Sequence, residues 1–267
     1  MSEPTLQAQI NSANAYDALL VPALFGQWAP KVADAAQIQS GQRALDVACG
    51  TGILARELAS RMGSGGRVVG IDPNPGMVAV AKHLAPAIEW REGFAESLPF
   101  SDQSFDAVVS QFGLMFFTDR RQALREMLRV LVSGGHLAVA VWDSLDNITA
   151  FARLVTLLEQ TAGRRAADAL RAPFALGNRQ ELAALFSEAG APSYEITTHP
   201  GAAWFPSIRT LVEAELRGWL PVAGVILTED QIGRILREAE HVLGSYATTD
   251  GRITFHLSAH LITAKKP

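Results

Sequence analysis

Two carboxylates and a pair of glycines are the residues of this chain best placed to do chemistry. Asp46-Val-Ala-Cys-Gly-Thr-Gly52 carries an apolar strand into a helix. Gly50 and Gly52 remove side chains where the backbone must turn tightly and let a ligand approach. The helix that follows presents unpaired N–H groups and a partial positive charge, which stabilise a phosphate or a carboxylate. Asp72 ends the next strand, where a carboxylate can accept hydrogen bonds from both hydroxyls of a ribose. Its competing role is to cap the helix that opens at Asn74-Pro-Gly76. With Gly50, Gly52 and Ala55 in its three positions, the loop also fits the permissive dinucleotide fingerprint. Taken alone, it therefore admits a nicotinamide cofactor.

Other reactive side chains point less clearly. Cys49 has no histidine near it in sequence and reads as a small packing residue rather than a nucleophile. His256 and His260 alternate onto the polar face of the last strand, about 13 Å apart at strand rise, too far to share one metal ion. A solvated strand face accounts for both. His136 opens a strand and His83 falls inside a helix; His199 and His241 lie in the second half, within reach of a pocket. Asp143 follows the fifth strand at its carboxyl end, where α/β folds place ligands, and serves equally well as a helix cap. No catalytic base is assigned.

The elements that must position these groups alternate. Arg43–Ala48, Arg67–Asp72, Ile88–Glu92, Phe105–Ser110 and His136–Trp142 read as five strands. Between them lie helical patterns: Leu54, Leu58, Met62; Met77, Val80, Ala81, Leu84; Leu124, Met127, Leu128, Leu131. Near-continuous apolar strands separated by helices imply parallel βαβ crossovers, with both sheet faces covered. Beyond residue 143 the pattern loosens. Helices are expected over 147–161, 178–189, 209–216 and 228–243. Strands are expected over 194–205 and 252–264, the latter half-buried near a sheet edge. The fold expected is α/β: a Rossmann-like three-layer sandwich, with a seven-stranded mostly parallel sheet, an antiparallel last strand and an added helical lid. It forms one domain over 1–267, with an N-terminal helical flap (1–40), a cofactor-binding core (41–143) and an acceptor-side half (144–267) whose lid lies around 207–245.

Composition narrows the function classes. The chain has 267 residues, 48% of them hydrophobic, and a net charge of −4, without the basic footprint of a nucleic-acid binder. One cysteine excludes an internal disulfide and a cysteine-based zinc cluster. Residues 1–10 are polar and lack a signal-peptide core, and no apolar stretch reaches membrane-spanning length. The expected setting is the cytoplasm, with no metal, nucleic-acid partner or membrane span.

Four segments in order and spacing carry a resemblance. They are Leu45-Asp-Val-Ala-Cys-Gly-Thr-Gly52; Gly70-Ile-Asp-Pro-Asn-Pro-Gly-Met77; Gly93-Phe-Ala-Glu-Ser-Leu-Pro-Phe100 with Asp102 and Ser104-Phe-Asp106; and Gln111-Phe-Gly-Leu-Met-Phe116 with Arg129-Val-Leu-Val-Ser-Gly-Gly135. Over residues 16–142 the chain resembles the class I S-adenosylmethionine-dependent methyltransferases of the type 11 group, which includes the quinone-biosynthesis C-methyltransferases. The resemblance implies S-adenosylmethionine as cofactor and S-adenosylhomocysteine as product. It places Gly50 and Gly52 under the methionine portion, and the backbone at Asp46, Ala48 and Cys49 near its amino and carboxylate ends. It gives Asp72, followed by Pro73, the ribose hydroxyls. Met77, Phe94 and Ala95 would flank the adenine, with Glu96 close by, and Gln111 and Phe112 would line the floor near the sulfonium. Tyr16 would lie in a flap that closes over the cofactor. Ala48 stands where the fuller motif has its first glycine. Phe94 replaces an aspartate that usually bonds the adenine amino group.

Methyl transfer is an in-line displacement that rewards positioning and a closed, largely apolar site. Phe112, Phe116, Phe117 and Trp142 could face the cationic sulfur or simply pack in the core. The acceptor expected is a small, fairly hydrophobic molecule beneath a lid that includes Trp204, Phe205, Trp219, Leu220, Val222, Val225 and Ile226. That apolar face would serve equally as a homodimer interface. The alternatives are a non-catalytic S-adenosylmethionine-binding regulatory protein and, further off, a nicotinamide-dependent dehydrogenase.

Overall fold

The computed structural model describes residues 5–267, so the first four residues of the expected flap lie outside it. Nine strands form. They are β1 (Arg43–Val47), β2 (Arg67–Asp72), β3 (Glu89–Glu92), β4 (Phe105–Gln111), β5 (Leu131–Trp142), β6 (Tyr194–His199), β7 (Ala202–Phe205), β8 (Ile253–His256) and β9 (Ala259–Lys265). Seven build one sheet in the order β3-β2-β1-β4-β5-β9-β6. β1 to β5 pair in parallel, while β9 runs antiparallel to both β5 and β6. The order reverses between β1 and β4, which opens a crevice at the carboxyl ends of those strands.

Helices cover both faces. α1 (Leu6–Leu20) and α2 (Ala29–Ala35) precede the sheet. α3 (Ile53–Met62), α4 (Pro75–Leu84) and α5 (Arg120–Val130) make the crossovers. Local chemistry sets their starts: the Asn74 side chain accepts from the Gly76 and Met77 amides, and Asp119 from Gln122. The predicted stripe of α3 buries as spaced, as do Leu124 and Met127 of α5, whereas Leu128 and Met77 are half-buried and Leu84 of the α4 stripe is exposed. In the second half come α6 (Thr149–Ala162), α7 (Arg164–Arg171), α8 (Arg179–Glu188), α9 (Ile208–Glu213), α10 (Leu220–Val222) and α11 (Glu229–Leu243). A π-helical stretch, Ala214–Trp219, joins α9 to α10. Asn178 caps α8, and a reciprocal Thr228–Gln231 box caps α11. One contiguous apolar core links the sheets to these helices, with the exception of α4.

Three expectations need correction. Residues 252–264 are two strands, not one, and β9, next to the edge strand β6 as expected, is buried on both faces rather than half-buried. Residues 194–205 likewise divide: β6 forms the sheet edge, and β7 pairs with β8 in a separate two-stranded ribbon. The break in the C-terminal pair falls at Leu257-Ser258, where Ser258 Oγ donates to Asp143 Oδ2 at 2.7 Å. His260 is therefore not on a solvated face. It is 2% exposed, its Nε2 lies 2.9 Å from the Gly177 carbonyl and 3.3 Å from Asp143, and its Nδ1 meets Thr198 Oγ1 at 2.9 Å. Alternation placed the side chain correctly on one face; a strand buried on both faces changed what that face meets.

Candidate functional site

The crevice above β1 and β4 holds a small cavity of about 30 Å³ at the glycine loop. Tyr16, Asp46, Ala48, Cys49, Gly50 and Gln111 line it, all of them expected there, together with Phe25, Thr51, Ile53 and Leu54. The loop is built by backbone strain. Ala48 at φ +57° and Gly50 at φ +55° are both left-handed, a conformation that costs an alanine about 1–2 kcal/mol. A glycine at position 48 would avoid that cost. Nothing lies within 4 Å of where a Cβ on Gly50 would point, so this glycine keeps the cavity open. Gly52 is different: a Cβ there would sit 2.3 Å from Trp90 Cη2, so it admits a tryptophan beneath the loop rather than a ligand above it.

Three buried polar atoms on this wall have no hydrogen-bond partner: Asp46 Oδ2, Thr51 Oγ1 and Gln111 Oε1. Burial pushes the Asp46 carboxyl up to about 8, with the Ala55 amide opposing the shift. Asp72 closes the far side. Its Oδ2 accepts from Gly50 N and its Oδ1 from Asn74 N, both at 2.9 Å. Burial raises its proton affinity, and those two amides counter it. Asp72 thus braces the glycine loop and the turn before α4, whose cap is Asn74, and it lines neither cavity. Burial, with Asp72 nearby, pushes the Cys49 thiol well up, which argues against a nucleophile.

A second cavity, about 100 Å³, adjoins the first and shares Tyr16 and Phe25 with it. Its floor is aromatic. Phe112 stacks on Trp142 with centroids 3.6 Å apart, and Phe25 tilts against both at 5.7 and 5.8 Å. Phe112 is itself left-handed at φ +58°, strain that a bulky residue keeps only where the surroundings impose it. Phe116 and Trp219 meet at 5.1 Å on the rim. Of the four aromatic candidates, Phe117 alone does not line this space. Of the proposed lid residues only Trp219 does, while Val222 and Ile226 point outward.

Sequence reasoning missed Glu215. It lies on the π-helical stretch, is 4% exposed and lines the larger cavity, and its side chain has no hydrogen bond or ion pair among the described residues. Burial alone pushes its carboxyl up to about 8. The readable signal was an acid at the apolar period of Ile208, Leu211, Val212 and Leu216.

The remaining expected residues lie outside both cavities. Pro73 and Phe94 are exposed, the latter at 65%, and Met77 is half-buried while Ala95 is buried. The Glu96 carboxylate accepts from the Thr118 and Asp119 amides. α1 covers the crevice: a Cβ on Gly76 would come within 2.4 Å of the Gln9 backbone, and Arg56 reaches Asp17 at 3.8 Å. Asp143 accepts from Ser144 N, Asn147 Nδ2 and Ser258 Oγ and lines neither cavity; the turn that follows is capped by Ser144. His199 is occupied by Thr197 on the sheet edge, and neither it nor His241 lines a cavity.

Residues 45–139 match the family profile described as "Methyltransferase domain". Over these residues the core resembles a methyltransferase domain. It is 43% identical over 115 residues to the 2-phytyl-1,4-naphtoquinone methyltransferase of Thermosynechococcus vestitus, covering 42% of this chain and 51% of that protein. It is 45% identical over 114 residues to the demethylmenaquinone methyltransferase of Renibacterium salmoninarum, covering 43% and 47%. The matched segment therefore spans about half the length of these curated relatives. The fold matches that of phosphoethanolamine N-methyltransferase 2 from Haemonchus contortus, solved with S-adenosyl-L-methionine. That match has a TM-score of 0.61 at 17% identity and covers 98% of this chain and 58% of the other. The methyltransferase domain ends before α6, so most of the larger cavity's roof lies beyond the matched residues.

Proposed function

We propose that the protein transfers a methyl group from S-adenosylmethionine to a small, mostly apolar acceptor. The observation that carries this reading is the pair of adjoining cavities that share Tyr16 and Phe25, one polar at the glycine loop and one apolar and aromatic. The donor set fits the cofactor. Asp46 Oδ2 and Gln111 Oε1, both unpartnered, can accept from an ammonium, Thr51 Oγ1 can donate to a carboxylate, and Asp72 can take ribose hydroxyls. Bound there, S-adenosylmethionine would supply an electrophilic methyl group on a cationic sulfur. The chain's own part is to hold and to shield. Phe25, Phe112 and Trp142 offer ring faces to a cation, and the closed aromatic wall excludes water.

Relatives named for naphthoquinone and demethylmenaquinone support an apolar, ring-sized acceptor. The net charge of −4 gives no purchase for a nucleic-acid acceptor, and a lone buried thiol suits a reducing cytosol. No helix among the described residues is long and apolar enough to cross a membrane. Differential scanning fluorimetry tests the cofactor half: S-adenosylhomocysteine raises the melting temperature and NADH does not. Calorimetry on Asp72→Ala should show S-adenosylhomocysteine affinity reduced at least tenfold; undiminished affinity overturns the reading.

A further inference from the structure

An unpaired carboxyl buried among apolar side chains costs several kcal/mol, and it persists only where it is used. Glu215 is such a group. Apart from Tyr16, every other residue lining its cavity is apolar. Glu215 continues the buried face of α9 between buried Ala214 and Leu216, whereas Glu213 pairs with Arg209 and Arg217 with Glu229 toward solvent. The π-helical stretch that carries it is a feature often found at functional sites. We propose that Glu215 determines acceptor specificity by donating a hydrogen bond, as a neutral acid, to the one oxygen function of an otherwise apolar, uncharged acceptor. This rests on the reading of the larger cavity as the acceptor site.

The choice of a neutral oxygen over a cationic amine follows from the surroundings. The elements packed on this stretch are α1, α9 and α10, with α7 met at Trp219 and α11 at Arg217. α1 and α9 bring Tyr16, Asp17, Arg209 and Glu213, and α10 brings none. On α7, Arg164 and Arg171 pair with Asp168, Arg171 also with Glu159, and Arg165 donates to Gly224 O; Glu229 of α11 pairs with Arg217. Asp17 faces Arg56 and Arg209 faces Glu213. Burial holds the Tyr16 phenol far above its ordinary range, so it stays neutral. No cation is at hand to hold Glu215 as a carboxylate, and burial keeps it an acid until about pH 8. An acid of this kind offers one O–H donor.

Three probes with one apolar body separate the cases: 2-acetylnaphthalene, naphthalene and 1-naphthylmethylamine, titrated by calorimetry into the protein saturated with S-adenosylhomocysteine. The ketone is expected to bind at least tenfold tighter than naphthalene near pH 6.5. Its affinity should fall as pH rises through about 8, by up to about tenfold per unit, since binding needs the acid form. Glu215→Gln, which keeps a donor, should retain the preference and lose the pH dependence. Glu215→Leu should bind ketone and hydrocarbon equally. The proposal is overturned if the amine binds tightest with affinity rising with pH, if Glu215→Leu keeps the ketone preference, or if no probe binds. Saturation with S-adenosylhomocysteine is measured first, so failure to bind the product cofactor indicts the functional reading, and later failure indicts Glu215 alone.

Discussion

Asp46 and Gly52 show how differently two residues of one loop earn their places. Asp46 leaves one oxygen unpaired on the cavity wall and is held mostly protonated at pH 7 by burial. A cofactor ammonium beside it would favour the carboxylate and expel the proton. Calorimetry of S-adenosylhomocysteine binding at pH 7, in two buffers of different ionisation enthalpy, should therefore show proton release that Asp46→Asn abolishes. Affinity should climb between pH 6 and 8 in the parent protein only. Gly52 instead answers to Trp90. Gly52→Ala forces a Cβ into the indole and into a left-handed φ of +86°, an expected loss of about 2–3 kcal/mol in thermal or denaturant unfolding. Trp90→Phe, which removes the outer ring, should restore part of it; additive losses in the double variant would show that the two residues do not meet. Arg129 and Asp102 make the same point: both fall in recognised motifs, yet their work is to pin the 98–102 loop through Leu98 O, Phe100 O and their own ion pair.

Among elements, α1 decides access. Tyr16 of α1 closes the space at the glycine loop, so a cofactor is expected to enter as α1 lifts from α4. Gly76 lets the two helices touch at Gln9. Gly76→Ala should push α1 away, and with it Tyr16 on the wall of both cavities. Hydrogen exchange over residues 6–20 is expected to quicken, and stopped-flow association of S-adenosylhomocysteine to rise several-fold, with the global unfolding temperature shifting little. Unchanged exchange would show that α1 is not a cover. The lid expected from α9 to α11 contributes through its π-helical stretch alone, since α11 packs on α6 and α9, away from the cavity.

For the whole molecule, buried acids set the pH dependence of stability, Asp46 and Glu215 foremost, with Asp72 shifted in the same direction. The Asp46 and Glu215 carboxyls rise from 3.8 and 4.5 to about 8 on folding. Below pH 4 both folded and unfolded chains hold these protons. Above it the unfolded chain releases them first, so stability falls as pH rises to about 8 and then levels, by at most about 1.4 kcal/mol per pH unit for each group. Asp106, Glu89 and Glu126, held low mainly by Arg43, Arg67 and Arg129, act oppositely and only as pH drops through the acid range. Melting temperatures of the free protein should thus decline from pH 5 to 8, and Glu215→Gln should flatten that slope. A flat profile in the parent protein would remove both acids from consideration.

Taken alone, the sequence determined the parallel core, the glycine loop, Asp72 at its strand end and the stripes of α3 and α5. Each of these follows from local periodicity or from a turn that only certain residues can make. It could not determine that β9 enters the sheet interior and buries His260, that Gly52 yields to Trp90, or that Glu215 faces an aromatic cavity. Those outcomes depend on which distant segments pack together, and such long-range pairings leave no period in the chain to read.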